Sequence, residues 1–182
     1  GIDEAYLDVT GFEALHGSIH RMAVSIRQRI KKELGLSASI GIAGSKVVAK
    51  VASDLSKPDG LVEVPTGKDG SFLEPLPVDK LPGIGKKTGL VLTGLGIRTI
   101  GTLAALPLNT LKSRFGLYGG VLHQWANGID DREIEPPGVA KSISRETTFA
   151  RDTRDHTFLR ATLRYLSERV AAELRESDKY AR

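Results

Sequence analysis

A chain of 182 residues with 26 Lys and Arg against 22 Asp and Glu, a formal charge of +4 and 40% hydrophobic residues can bury one good core or two small ones. It has no cysteine, which excludes a disulfide framework and thiolate metal sites, effectively excludes zinc, and fits a reducing cytosol. No apolar run approaches the length of a bilayer span, Gly1-Ile2-Asp3-Glu4 lacks the basic-then-apolar order of a signal peptide, and so modest a positive excess permits a polyanionic partner without requiring one.

The alternating run from Ile2 to Val9 predicts a strand. Leu15, Ile19, Met22, Ala23, Ile26, Ile30 and Leu34 then recur at helical spacing, and Gly35 closes the amphipathic helix they predict. Ser37 to Ile42 reads as a buried strand of small residues. A second helix follows, capped by Ser45, with Val47, Val48, Val51, Ala52 and Leu55 on its apolar face. Pro58-Asp59-Gly60 turns the chain into a strand at 61–64. Alternating strands and helices make the first piece, residues 1–66, α/β.

From Thr66 to about Pro137 the strand signal gives way to short helical segments separated by glycine and proline, so residues 67–138 read as a small all-helical piece. The charged, proline-bearing stretch from Asp130 to Gly138 has the composition of a linker. Lys141 to Phe149 then predicts a strand, and Asp155 to Ser177 a helix with Leu159, Leu163, Leu166, Val170 and Leu174 as its apolar stripe. One strand and one helix do not enclose a core, so residues 139–182 are expected to be a truncated α/β segment, its open edges leaving room for a homodimer.

Three features carry chemistry. Asp3 and Glu4 are adjacent carboxylates on an otherwise apolar run, costly to desolvate unless a cation, a hydrogen-bonding network or open solvent receives them. A divalent metal of the Mg²⁺ kind, which takes one or two carboxylates and completes its shell with phosphates and water, is one reading; a solvated strand end is the other. Lys46, Lys50 and Lys57 lie along or just past one helix. The first two read as a solvated basic face, whereas Lys57 is oriented by the restriction that Pro58 places on its backbone and suits a phosphate better.

The third feature is Leu81-Pro82-Gly83-Ile84-Gly85-Lys86-Lys87-Thr88, leading into a helix expected from Gly89 to Leu95. It reads as a helix-hairpin-helix. Glycines at alternate positions let backbone approach a phosphate, the helix N-terminus offers free N–H groups, and Lys86 and Lys87 add charge, so duplex would be held without base reading. The competing reading is a tight turn between two helices.

In order along the chain, Ile2-Asp3-Glu4-Ala5-Tyr6-Leu7-Asp8, Lys46-Val47-Val48-Ala49-Lys50, the run from Ser53 to Gly60, Leu81-Pro82-Gly83-Ile84-Gly85 and the run from Lys141 to Phe149 resemble the Y-family of translesion DNA polymerases. The resemblance implies that the first piece is the later part of a palm, the second a thumb with its hairpin, and the third the start of a little finger. It implies that Asp3 and Glu4 are catalytic and hold two Mg²⁺ ions, and that Lys57 meets the triphosphate of an incoming dNTP. It implies that Gly83, Gly85, Lys86, Lys87 and Thr88 grip primed template DNA, with an ion held by carbonyls near Asp79, Leu81 and Ile84. Ser142 and Arg145 match the strand that follows the template backbone. A replication sliding clamp is the implied partner of the whole protein, and a cytoplasmic, nucleoid-associated location its implied place.

Two departures bear on this resemblance. Gly1 stands where the family has Ser, which puts in doubt whether Gly1 is native. The family also supplies a further metal-binding Asp from an earlier strand, together with fingers over the nascent base pair, so the 182 residues alone are expected to bind DNA without synthesising it. The alternative from another class is a non-catalytic helix-hairpin-helix repair module, which leaves Asp3, Glu4 and Lys57 without a role.

Overall fold

The structure is a computed structural model and describes residues 3–136, 138 and 141–180, with the side chains of Leu15 and His16 also left aside. Gly1, Ile2 at the start of the first predicted strand, Pro137 and Val139 around the linker, and Ala140, Ala181 and Arg182 lie outside the described residues. The chain divides into two compact units, Gly1–Ile134 and Glu135–Arg182.

In the first unit, Glu13–His16 forms a single helical turn, α1, and Ile19–Leu34 the long helix α2. The one helix expected from Leu15 to Leu34 is thus broken. Gly17 takes φ of 80°, and Ser18 starts a new helix by accepting a hydrogen bond from the Arg21 N–H. Gly35 caps the far end in the left-handed conformation, its N–H donating to the Lys31 carbonyl at 3.1 Å.

Strand β1 (Ile40–Ile42), helix α3 (Lys46–Leu55) and strand β2 (Leu61–Glu63) form a βαβ unit, the strands pairing in parallel with Ile40 opposite Leu61 and Ile42 opposite Glu63. The helix sits so close to β1 that a Cβ on Gly41 would stand 2.1 Å from the Ala49 carbonyl and 2.5 Å from the Ser53 nitrogen. Only glycine admits that approach. On another face, Arg27 of α2 donates to the Ala38 carbonyl at 3.2 Å and pairs with the Asp59 carboxylate at 3.2 Å, holding the turn after Lys57 to the sheet.

The predicted strand over residues 3–9 does not form. Its backbone runs without a ladder, because among the described residues β1 and β2 pair only with each other and no third strand lies alongside.

Helices α4 (Asp69–Leu73), α5 (Lys86–Gly94), α6 (Ile100–Ala104), α7 (Leu108–Phe115) and α8 (Leu117–Ala126) follow, with a 3-10 turn at Val78–Lys80. Helix α5 starts three residues before the expected Gly89, because Gly85 takes the N-cap position in extended conformation and brings Lys86 and Lys87 into the first turn. Val47, Val48, Val51 and Ala52 of α3 share one buried cluster with Leu73, Leu81, Leu92, Ile100, Leu103, Leu111 and Leu122. The βαβ unit and the helical segments therefore have a common core.

In the second unit, helix α9 (His156–Glu176) is capped by Asp155, whose carboxylate accepts from the Thr157 and Phe158 N–H groups. Leu159, Leu166, Val170 and Leu174 of its expected stripe are half-buried, while Leu163 is exposed. Residues 141–149 are not a strand: no pairing partner lies beside them among the described residues, and the Phe149 ring meets Phe158 at 5.2 Å between centroids. The architecture is mostly helical with a small parallel sheet, and no helix among the described residues is long and apolar enough to cross a membrane.

Candidate active site and nucleic-acid interface

The Ser45 cap and four buried apolar residues fix α3, and the opposite face of that helix carries a line of charge. Lys50 forms an ion pair with Glu4 and a second with Asp54 at 3.2 Å; Asp54 in turn takes the Lys57 ammonium at 2.7 Å. The hydrogen bond and charge of Lys50 hold the Glu4 carboxyl below its ordinary value, and Glu4 reciprocally raises the Lys50 ammonium. Asp3 is exposed beside this pair in sequence.

Lys46 and Lys50 are not the solvated face expected of them. Lys46 stands 5.5 Å from the centre of the Tyr6 ring and donates to the Glu133 carbonyl at 2.9 Å. Burial pushes the Tyr6 phenol up. Run 3–9 is therefore tethered to α3 by side chains at Glu4 and Tyr6 although it lacks a strand ladder.

Among the described residues no group of three or more His, Cys, Asp or Glu side chains forms a metal cage. Asp3 and Glu4 do supply hard oxygen donors of the type and number that Mg²⁺ accepts when phosphates and water fill the rest of its shell. The donor set is of a type that a divalent cation accepts, and in this structure the Glu4 carboxylate is held by the Lys50 ammonium.

The hairpin is held from below. Leu81 and Ile84 are buried, and the Ile84 N–H donates to the Leu81 carbonyl at 3.1 Å, which engages one of the three carbonyls singled out with Asp79. Gly83 has φ of 84°, and a Cβ there would meet the Tyr118 hydroxyl at 2.0 Å and Trp125 at 3.5 Å. The Arg132 guanidinium lies 4.6 Å from the Trp125 ring and grips Asp130 with two bonds of 2.6 and 2.7 Å. Gly83, Gly85, Lys86 and Lys87 are exposed on this support, Thr88 is half-buried, and no side chain caps α5, so its first turn, which carries both lysines, has N–H groups without a side-chain acceptor.

In the second unit, Ser142 and Arg145 are exposed, and Arg145 pairs with Glu173 of α9 while donating to the Ser144 carbonyl at 2.9 Å. Sequence reasoning overlooked Asp54, Arg27 and Arg132. Asp54 had a readable signal, four residues after Lys50 and three before Lys57; Arg27 and Arg132 reach partners that only the tertiary fold brings near.

Family models match most of the chain in order: the impB/mucB/samB family over residues 1–54, a DNA polymerase-iota thumb domain over 79–130, and the impB/mucB/samB C-terminal domain over 140–182. In sequence the chain is similar along its whole length to the Y-family of DNA polymerases. DNA polymerase IV of Dehalococcoides mccartyi (strain CBDB1) is 59% identical over the whole chain, which spans 47% of that protein. DNA polymerase IV of Desulfatibacillum aliphaticivorans is 44% identical over 181 residues, 46% of its length. The chain thus spans about half the length of the curated relatives it matches. Among solved Y-family structures, DinB from Sulfolobus solfataricus and an insertion ternary complex of Dbh DNA polymerase each align with a TM-score of 0.65 at 31% identity, covering 74% of this chain and 40% of theirs.

Proposed function

We propose that the protein carrying this chain is a template-directed DNA polymerase of the translesion kind, transferring nucleotidyl groups from dNTPs to a primer 3′-hydroxyl. The observation that carries the reading is the series Glu4, Lys50, Asp54, Lys57, each paired with the next, which puts a carboxylate suited to a metal and a lysine suited to a triphosphate on one side of one helix. A repair module that only binds DNA leaves that arrangement unused.

Asp3 and Glu4 would hold Mg²⁺, two ions in the complete site. When bound, the metal supplies activation of the primer hydroxyl and neutralisation of charge on the leaving pyrophosphate. Lys50 keeps Glu4 ionised and oriented. Lys57 offers its ammonium to the nucleotide triphosphate. Gly83, Gly85, Lys86, Lys87 and Thr88 present backbone N–H groups and charge to the DNA backbone, an ion would be held by the Asp79, Leu81 and Ile84 carbonyls, the Leu81 oxygen also accepting from the Ile84 N–H, and Ser142 and Arg145 follow the template strand. Residues 1–66 serve as palm, 67–138 as thumb and 139–182 as the start of the little finger; a replication sliding clamp is the further partner, in a cytoplasmic, nucleoid-associated setting.

The test is primer extension by the protein bearing this chain, with a primed template, dNTPs and Mg²⁺. Template-dependent extension should be nearly abolished by Asp3→Ala with DNA affinity retained. Extension by that variant at the wild-type rate removes Asp3 from the site, and absence of extension by the wild type removes the reading.

A further inference from the structure

We propose that Asp54 is a positioning residue for nucleotide binding, holding the Lys57 ammonium ready for a triphosphate while Lys50 anchors the carboxylate from behind; the inference rests on the polymerase reading above. Lys50, Asp54 and Lys57 follow at i, i+4 and i+7, the spacing that aligns side chains along one face of a helix, with Lys57 just past the end of α3. Oδ1 of Asp54 takes the Lys57 ammonium at 2.7 Å and Oδ2 takes that of Lys50 at 3.2 Å, so the two oxygens serve two cations. Lys50 is fixed on its other side by Glu4.

Exposure gives the arrangement a direction. The Lys50 side chain is 26% exposed and that of Lys57 58%, so the anchored end is covered and the far end is open to an incoming anion. Burial pushes the Asp54 carboxyl up, but hydrogen bonds from Lys57 and Lys50 outweigh it and keep the group below its ordinary value. The carboxylate is therefore an anion when nucleotide arrives.

Two effects of that anion compete. It restricts a long, flexible lysine before binding, which lowers the rotamer freedom left to lose on meeting phosphate. It also repels the triphosphate. The repulsion is blunted because two ammonium groups already flank the carboxylate, so that with Glu4 the four paired side chains balance in charge and the open end of the series is the Lys57 ammonium. Without the shared anion, Lys50 and Lys57 would face each other as like charges, and Lys57 would turn away. Asp54 should therefore assist binding.

Steady-state primer extension by the polymerase bearing this chain decides the matter, with Asp54→Asn, Asp54→Glu, Lys57→Ala and the Asp54→Asn/Lys57→Ala double variant. Asp54→Asn should raise the nucleotide KM about two- to fivefold, the range of a partly exposed ion pair, with kcat and DNA affinity little changed. Asp54→Glu should recover most of the wild-type KM, and Asp54→Asn should add nothing once Lys57 is alanine. An unchanged or lowered KM in Asp54→Asn, or an equal rise in the Lys57→Ala background, overturns the inference. If Lys57→Ala raises KM and Asp54→Asn does not, only the inference falls; if Lys57→Ala leaves KM unchanged, the triphosphate role of Lys57 falls and the inference with it.

Discussion

The Ser45 hydroxyl, at the start of α3, donates to the Gly128 carbonyl just beyond α8 at 3.1 Å, joining residues 83 positions apart. The same oxygen caps α3 by accepting from the Val48 N–H. Ser45→Ala removes both a helix cap and a half-buried hydrogen bond, and should lower unfolding free energy by about 1–2 kcal/mol. Denaturant unfolding of the purified chain measures it.

The hairpin should be equally specific about Gly83. A Cβ there meets the Tyr118 hydroxyl at 2.0 Å and the backbone has φ of 84°, so Gly83→Ala should destabilise by about 2–4 kcal/mol through clash and left-handed strain. Placing Gly83→Ala in a Tyr118→Phe background should recover part of that loss, because the nearest ring atom then stands at 3.3 Å, while the backbone strain remains. Thermal unfolding of the two singles and the double gives the coupling.

Lys86 and Lys87, exposed in the first turn of α5, should act on DNA through charge alone. Replacing either with alanine should weaken duplex binding on all sequences alike and reduce the log–log salt slope by about 0.9 for each phosphate no longer neutralised. Fluorescence anisotropy across a salt series reads both quantities.

Much of this was legible in the sequence because it is local. Gly35 ends α2 and Ser45 begins α3 for reasons confined to a few residues, and the Val47, Val48, Val51, Ala52 face announces the side of α3 that is buried. Strands are different, since a strand exists only with a partner: alternation over residues 3–9 and 141–149 marks segments able to join a ladder, and the chain as described offers them none. The long helix broke at Gly17 because two strong local signals, a left-handed glycine and the Ser18 cap, outweigh an apolar period that continues across them. In the site, Lys46 and Lys50 looked like solvent-facing charge until the fold brought Tyr6, Glu133 and Glu4 to them.

Asp130 supplies a pH test of the segment after α8. Its side chain is almost fully covered, and the Arg132 hydrogen bonds, aided by the Val47 N–H, outweigh burial and hold its carboxyl below the ordinary aspartate value. A depressed folded-state value contributes stability that is present above the unfolded value, about 3.9, and is lost as pH falls through the folded one. Unfolding free energy should therefore fall on acidification below about pH 4, and Arg132→Ala should flatten that part of the profile. Urea titrations at a series of acidic pH values compare the two proteins.

The most direct measurement is the rate of single-nucleotide incorporation by Glu4→Gln in the polymerase bearing this chain, on a primed template at saturating dNTP and Mg²⁺. The substitution keeps size and removes the charge that suits Glu4 to a metal and pairs it with Lys50. Incorporation should fall by roughly two orders of magnitude or more while DNA affinity stays at the wild-type level. Incorporation at the wild-type rate by a folded, DNA-binding Glu4→Gln protein would contradict the account.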